Sequence, residues 1–251
     1  MIVNYTESGW EIITQRAHGL LGAQLAWYWK NKSQPDRWVE TVLAIAEHDD
    51  TGIEFEAENL LTAAGGPVHF AMRAFDPDHC QKLSLSSQAK SRHIALLSAK
   101  HLIFLYREEA KRNSRALAVV QEQRRLLARL RKELGITKVE ADRTYALMQW
   151  CDALSLLICQ HALQPEQRLT EISKGPDKKS YQLVQLAPAV LSVSPWPFVK
   201  NRFKVSVESR YIPQLSFGSA KEFREALYGA AVKETVYELK APGKGKARPG
   251  M

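Results

Sequence analysis

The sequence predicts a mainly α fold: a helical bundle with a small antiparallel β appendage from the C-terminal part and an N-terminal hairpin, α+β overall. Three observations predict it. Apolar residues recur at helical spacing through most of residues 15–163. Alternating or β-branched runs are confined to residues 2–13 and 181–239. Between the two textures stands a clear break, Lys174-Gly175-Pro176-Asp177. The expected divisions are a β hairpin at 1–14, a helical domain at 15–170, a small α+β unit at 171–240 and a disordered basic tail at 241–251.

Taken in order, Ile2, Val3 and Tyr5 precede a Ser8-Gly9 turn, and Trp10, Ile12 and Ile13 follow it. Such a hairpin needs a partner to be stable, and the C-terminal strands are the expected partner. Thr14 suits the N-cap of a helix over about 15–31, with His18, Gly22, Leu25 and Trp29 on one face. Pro35-Asp36 opens a second helix to about Glu47; Trp38, Val42 and Ile45 form its stripe, which delivers Asp49 at its end. Residues 50–90 are the least regular, with loop signals at Gly65-Gly66-Pro67 and Asp76-Pro77-Asp78. Both a lid over a site and an idle surface loop fit that segment. An apolar helix over 91–106 carries His93 and His101, and a charged helix runs to Leu134 before Gly135, a good C-cap residue. The helix over 138–163 bears Asp152, and Pro165 ends it. Strands are expected at 181–186, 190–193 and 203–208, then a helix over 220–231 and a last strand at 235–239. The tail from Ala241 is rich in Gly, Pro and Lys and expected to be disordered.

Composition narrows the classes. With 45% hydrophobic and 25% charged residues the chain is an ordinary globular sequence. No apolar run approaches the roughly 20 residues that span a bilayer, and MIVNYTESGW has no secretory n- or h-region, so a cytoplasmic address and no membrane partner are expected. Cys80, Cys151 and Cys159 match no zinc spacing. The last two lie about 12 Å apart along one helix, too far for a disulfide, so free buried thiols are expected. Half of the net charge of +8 lies in the tail, at Lys240, Lys244, Lys246 and Arg248. A second basic cluster at 107–132 includes Arg107, Arg112, Arg115, Arg124, Arg125, Arg129, Arg131 and Lys132, partly offset by Glu108, Glu109, Glu122 and Glu133. It fits a weak nucleic-acid face or a solvated helix face, and no aromatics interleave with it to stack on bases.

The chemistry-bearing residues are ionisable groups inside apolar helices. Asp152 sits in TYALMQWCDALSLLICQ, where a carboxylate must be paired, protonated or metal-bound. His18 and the adjacent His48-Asp49 lie on or just beyond apolar helix faces. Imidazoles and carboxylates together suit a divalent ion such as Mn, Fe, Ni or Zn, with open positions for water and a phosphate oxygen. His18, His48, Asp49 and Asp152 are therefore the candidate metal ligands; a buried His-Asp hydrogen-bond network is the alternative. His93 and His101 lie on one broad helix face and are candidates for a second metal, or for orienting water or phosphate around the first. Asp50 fits a catalytic acid/base group or a helix-end turn residue, and Asp49 a ligand with a catalytic part. Arg16 and Lys100 are the candidate phosphate-binding cations; Lys90 and Arg92 also lie near in sequence.

The order His18, then His48-Asp49, then a distant Asp152, with HDDTG at residues 48–52, resembles the HD-domain superfamily of metal-dependent phosphohydrolases. The sequence departs from the commoner signature at Ile53, where many hydrolase members carry Lys. A nearer likeness is to an uncharacterised bacterial family known as a domain of unknown function. Its members have a similar opening, an HDDG-like run, a Ser-x-x-His helix end (here Ser98 to His101), a W-x-D-x-LSL helix (Trp150 to Leu156) and a PWPF segment (Pro195 to Phe198). Where that family usually has Trp after HDDG, this chain has Ile53, Glu54, Phe55 and Glu56. The resemblance implies an HD-like helical core at 15–170 and gives no established activity.

The function expected on this basis is hydrolysis of a nucleotide or other small phosphoester by a metal-activated water. The alternative is a non-catalytic binding or regulatory module with a structural or vestigial metal site. A metal-dependent oxygenase is a third reading, and it would make His93 and His101 essential ligands.

Overall fold

In the computed structural model, which describes residues 1–50, 52 and 54–243, the helix after Thr14 starts where its capping signal places it, whereas the helix expected to open at Pro35-Asp36 starts only at Trp38, after Arg37 and without a side-chain cap bond. The hairpin is β1 (Ile2–Thr6) and β2 (Gly9–Ile13), and α1 (Gln15–Trp27) follows, with the Thr14 hydroxyl accepting from the Ala17 N–H at 3.0 Å. Next comes α2 (Trp38–Ala46). A further helix, α3 (Pro77–Lys90), lies in the stretch that reads as irregular. Asp76-Pro77 is a helix start there rather than a loop: the Asp76 carboxylate accepts from the N–H groups of Asp78 and His79, and Pro fits the first turn because it has no N–H to satisfy. After α4 (Arg92–Tyr106) and α5 (Ser114–Leu134), Gly135 closes the helix in the left-handed conformation at φ 66°. A Thr137/Glu140 capping box then opens α6 (Lys138–Cys159).

The remaining elements are β3 (Thr170–Lys174), β4 (Ser180–Ala187), β5 (Val190–Ser194), β6 (Arg202–Ile212), α7 (Ala220–Gly229) and β7 (Val232–Lys240). The seven strands of the described residues form one sheet in the order β1-β2-β6-β7-β5-β4-β3. Its pairings are antiparallel except β5–β7, which is parallel. The hairpin enters through β2 and β6, with Trp10 opposite Ile212 and Ile12 opposite Arg210.

This sheet overturns the expectation of a mainly α, HD-like bundle with a small β appendage. The fold is α+β, and the mixed sheet is one of its two principal parts. One apolar core runs through both, from Ile2 and Ile13 through Leu21, Trp29, Leu97 and Trp150 to Leu183, Val193, Phe198, Val205 and Leu239. The physical reason is that strand partners are distant in sequence. β3 has a single buried apolar residue, Ile172, and gives no local signal. β6 runs eleven residues because its ends alternate apolar with polar side chains and stay paired.

Two helices end earlier than their apolar patterns. α1 stops at Trp27, after which Trp29 bridges to Phe198 and the Lys30 N–H donates to the Pro197 carbonyl at 3.1 Å. α6 stops at Cys159, followed by His161 at φ 51°. Cys80, Cys151 and Cys159 are free and buried.

Candidate metal centre

Four helices bring five ionisable side chains together. α1 supplies His18 one turn from its N-cap. Its neighbour Gly19 lies so close to the Ala46 carbonyl that a Cβ there would collide with backbone, so α1 and α2 meet nearly in contact. The chain leaving α2 then carries His48 and Asp49 past the His18 ring, with the two imidazole centroids 4.9 Å apart. α6 adds Asp152, and α4 adds His101, its ring 5.0 Å from that of His48.

Hydrogen bonds fix which nitrogen of two rings faces the centre. The His48 Nδ1–H donates to the Ile45 carbonyl at 2.8 Å, which leaves Nε2 as a lone pair. The Ser155 hydroxyl donates its one proton to the Asp152 carbonyl at 2.8 Å, so at 3.1 Å it must accept from His18 Nδ1. His18 Nε2 is then the lone pair as well. His101 Nδ1 lies 3.2 Å from the Tyr145 hydroxyl, where either group can donate.

The inward atoms converge without bonding one another. His48 Nε2 lies 3.2 Å from Asp152 Oδ1 and 3.6 Å from Asp49 Oδ2. His18 Nε2 lies 3.5 Å from Asp49 Oδ2, and His101 Nε2 lies 3.6 Å from Asp49 Oδ1. His18 Nε2, His48 Nε2 and Asp152 Oδ1 are buried and lack a hydrogen-bond partner among the described residues. Buried polar atoms are nearly always paired, so three converging orphans call for a partner between them, either a metal ion or a proton. In two overlapping sets, His18/His48/Asp152 and His48/Asp49/His101, the ligand atoms lie within 4.8 Å of one another. Donors bound to one ion at about 2.0–2.2 Å sit roughly 3–4.4 Å apart, so either set closes on an ion with a small contraction. Two carboxylates and neutral imidazoles carry two negative charges, which a divalent ion offsets.

Without an ion a proton takes that part. Burial alone would push the His48 imidazole down, but the Asp49 and Asp152 carboxylates outweigh it and raise His48 to about 10. Burial likewise opposes ionisation of Asp49 and Asp152, yet His48 and the neighbouring imidazoles hold both below the usual carboxylate range.

The other expected site residues are placed differently. His93 stands apart, donating from Nε2 to the Thr41 hydroxyl at 3.1 Å, since that hydroxyl's own proton goes to the Arg37 carbonyl. It shares a face of α4 with His101, but eight residues of helix separate them by about 12 Å. Burial pushes the His93 imidazole down. Asp50 lies in neither ligand set; its Oδ1 accepts from Arg16 at 2.6 Å and from the Gly52 N–H at 3.1 Å. Lys100 is committed to Asp142 and packs over the Tyr145 ring. On the 107–132 face, Lys111 pairs with Glu108, Arg112 with Glu109 and Arg129 with Glu133.

Three residues at the centre escape a reading of the sequence: Gln15, whose amide donates to Asp49 Oδ2 at 2.9 Å, and the ring-orienting Ser155 and Tyr145. Ser155 follows Asp152 at helical spacing and carries no other signal.

Among the described residues no helix is long and apolar enough to cross a membrane. No curated protein and no solved structure matches the chain. A family model described as a protein of unknown function (DUF3891) matches residues 1–214, every strand but β7 and each residue of the metal centre included. A match over that much of the chain assigns the family, and this protein is a member of DUF3891.

Proposed function

We propose that the chain is a metal-dependent phosphohydrolase of the HD type, acting on a nucleotide or another small phosphoester. The observation that carries this reading is the convergence of three buried, unpartnered ligand atoms, His18 Nε2, His48 Nε2 and Asp152 Oδ1. His18, His48, Asp49 and Asp152 would hold Mn, Fe, Ni or Zn, with His101 available through Asp49. A divalent ion supplies Lewis acidity toward a phosphoryl oxygen and a lowered pKa for water.

The chain's own residues account for access and charge. The three imidazole side chains are at most 2% exposed, whereas Asp49 is 23% and Asp152 14% exposed, so solvent and substrate approach on the carboxylate side. Arg16, half exposed and tied to Asp50 beside Asp49, keeps guanidinium N–H groups for a phosphate. Asp50 steadies that guanidinium. His93 and Lys100 have no part in this reading.

Metal analysis beside a phosphoester panel tests it. Wild-type protein reconstituted with each of the four metals is expected to bind metal and hydrolyse at least one phosphoester; His48→Ala and Asp152→Ala lose both. No metal in wild type would sink the cation site. Bound metal with every phosphoester left intact would sink the hydrolase reading and leave a binding module.

A further inference from the structure

The PWPF segment, the end of α1 and the β3–β4 turn enclose a cleft of about 150 Å³ at which the proposed hydrolase has no role. Pro195, Trp196 and Tyr181 help to wall it, and Lys30, Arg143 and Lys179 line it against a single acid, Asp177. That acid is already engaged, by the Lys179 N–H at 3.1 Å, the Lys179 ammonium at 3.7 Å and the Tyr181 hydroxyl at 3.3 Å. Arg143 is exposed and has no ion-pair partner among the described residues. Beneath them Trp29, only 2% exposed, also lines the cleft, and its indole N–H has no hydrogen-bond partner among the described residues. A buried donor without an acceptor, under an excess of cations and beside apolar walls, needs an acceptor from outside the protein.

We propose that this cleft binds a small oxyanion, a phosphate or the carboxylate of a small acid. Trp29 N–H supplies a neutral hydrogen bond and Arg143 a charge-assisted one, while Lys179 is shared with Asp177. Lys30 is less available, because its ammonium already donates to the Trp196 carbonyl at 2.6 Å and so braces the PWPF loop. The volume admits an anion of a few heavy atoms and excludes a nucleotide, for which pockets start at about 300 Å³. The site is separate from the metal centre: Arg143 precedes Asp152 by about 13 Å of α6.

Nitrogen-labelled tryptophan NMR on the full chain tests the assignment, with the Trp29 indole resonance identified through Trp29→Phe. Titration with inorganic phosphate and, separately, with acetate is expected to shift that resonance saturably. Arg143→Gln, on an exposed side chain that folding does not need, weakens binding by about tenfold or more, whereas His48→Ala leaves it unchanged. A response to phosphate alone identifies a phosphate site, and to acetate alone a carboxylate site. No saturable shift with either anion, or an equal shift in Arg143→Gln, overturns the proposal and leaves water as the indole's partner. The His48→Ala arm separates this outcome from any failure of the metal reading.

Discussion

The Ser155 hydroxyl has one proton and gives it to the Asp152 carbonyl, so it can only accept from His18. It thereby selects the imidazole tautomer whose Nε2 lone pair faces the centre. Groups that orient metal-binding imidazoles typically change affinity 10–100-fold when removed. Ser155→Ala is expected to weaken metal binding by about that range, and Ser155→Thr to restore most of it, both read by competition with a chelating dye; equal affinity in wild type and Ser155→Ala would refute the orienting role. At this scale the sequence is informative where burial is costly. His18, His48, Asp49 and Asp152 are visible because charge in an apolar helix demands compensation. Ser155, Tyr145 and Gln15 are not, because such residues sit in helices for many reasons. His93 shows the converse limit: a shared helix face does not give a shared site when about 12 Å of axis intervenes.

Between elements, the contact joining the hairpin to the end of α6 is polar. Glu11 on β2 accepts from His161 at 2.6 Å and from Asn4 at 3.0 Å, while Asn4 also donates to the Cys159 carbonyl at 2.8 Å. Burial would raise Glu11, but the bonds from His161 and Asn4 outweigh it and lower it from 4.5 to about 2. The bond to Glu11 raises His161 above 6.5 against the opposing effect of burial. A depressed carboxylate stabilises the fold above its unfolded value and loses that contribution as pH falls. A raised imidazole stabilises below its unfolded value and loses its contribution as pH rises through the folded one. The pair is therefore worth most between pH 4.5 and 6.5. Since His161 is half exposed, the contribution is about 1 kcal/mol after screening. Urea midpoints of Glu11→Gln should fall below wild type most in that window, and a constant difference from acid to alkaline pH would contradict it. Helices with caps and periodicity could be read at this scale, apart from α3, whose Asp-Pro start also signals a loop. β3 could not, because its pattern carries one apolar side chain.

For the molecule as a whole, the sheet joins segments that local patterns leave apart. Periodicity reports which residues face a core but not which strand lies alongside, and β2 meets β6 across some two hundred residues. That is why two textures read as a bundle with an appendage when they share one core. The same topology makes β7 indispensable although it lies beyond the 1–214 family match: it stands between β6 and β5, opposite β6 from Lys240 to Val232. A chain ending at residue 214 is expected to lose cooperative unfolding and the near-ultraviolet circular dichroism of its buried tryptophans; a native-like melt from that fragment would disprove the dependence. On the ribosome, this ordering means that three strands on one flank (β1, β2, β6) and three on the other (β5, β4, β3) must wait, each with an open edge, for the last strand to emerge and join them. Nascent chains paused before β7 would thus be the species most dependent on chaperones, because unpaired strand edges are what neighbouring chains can capture.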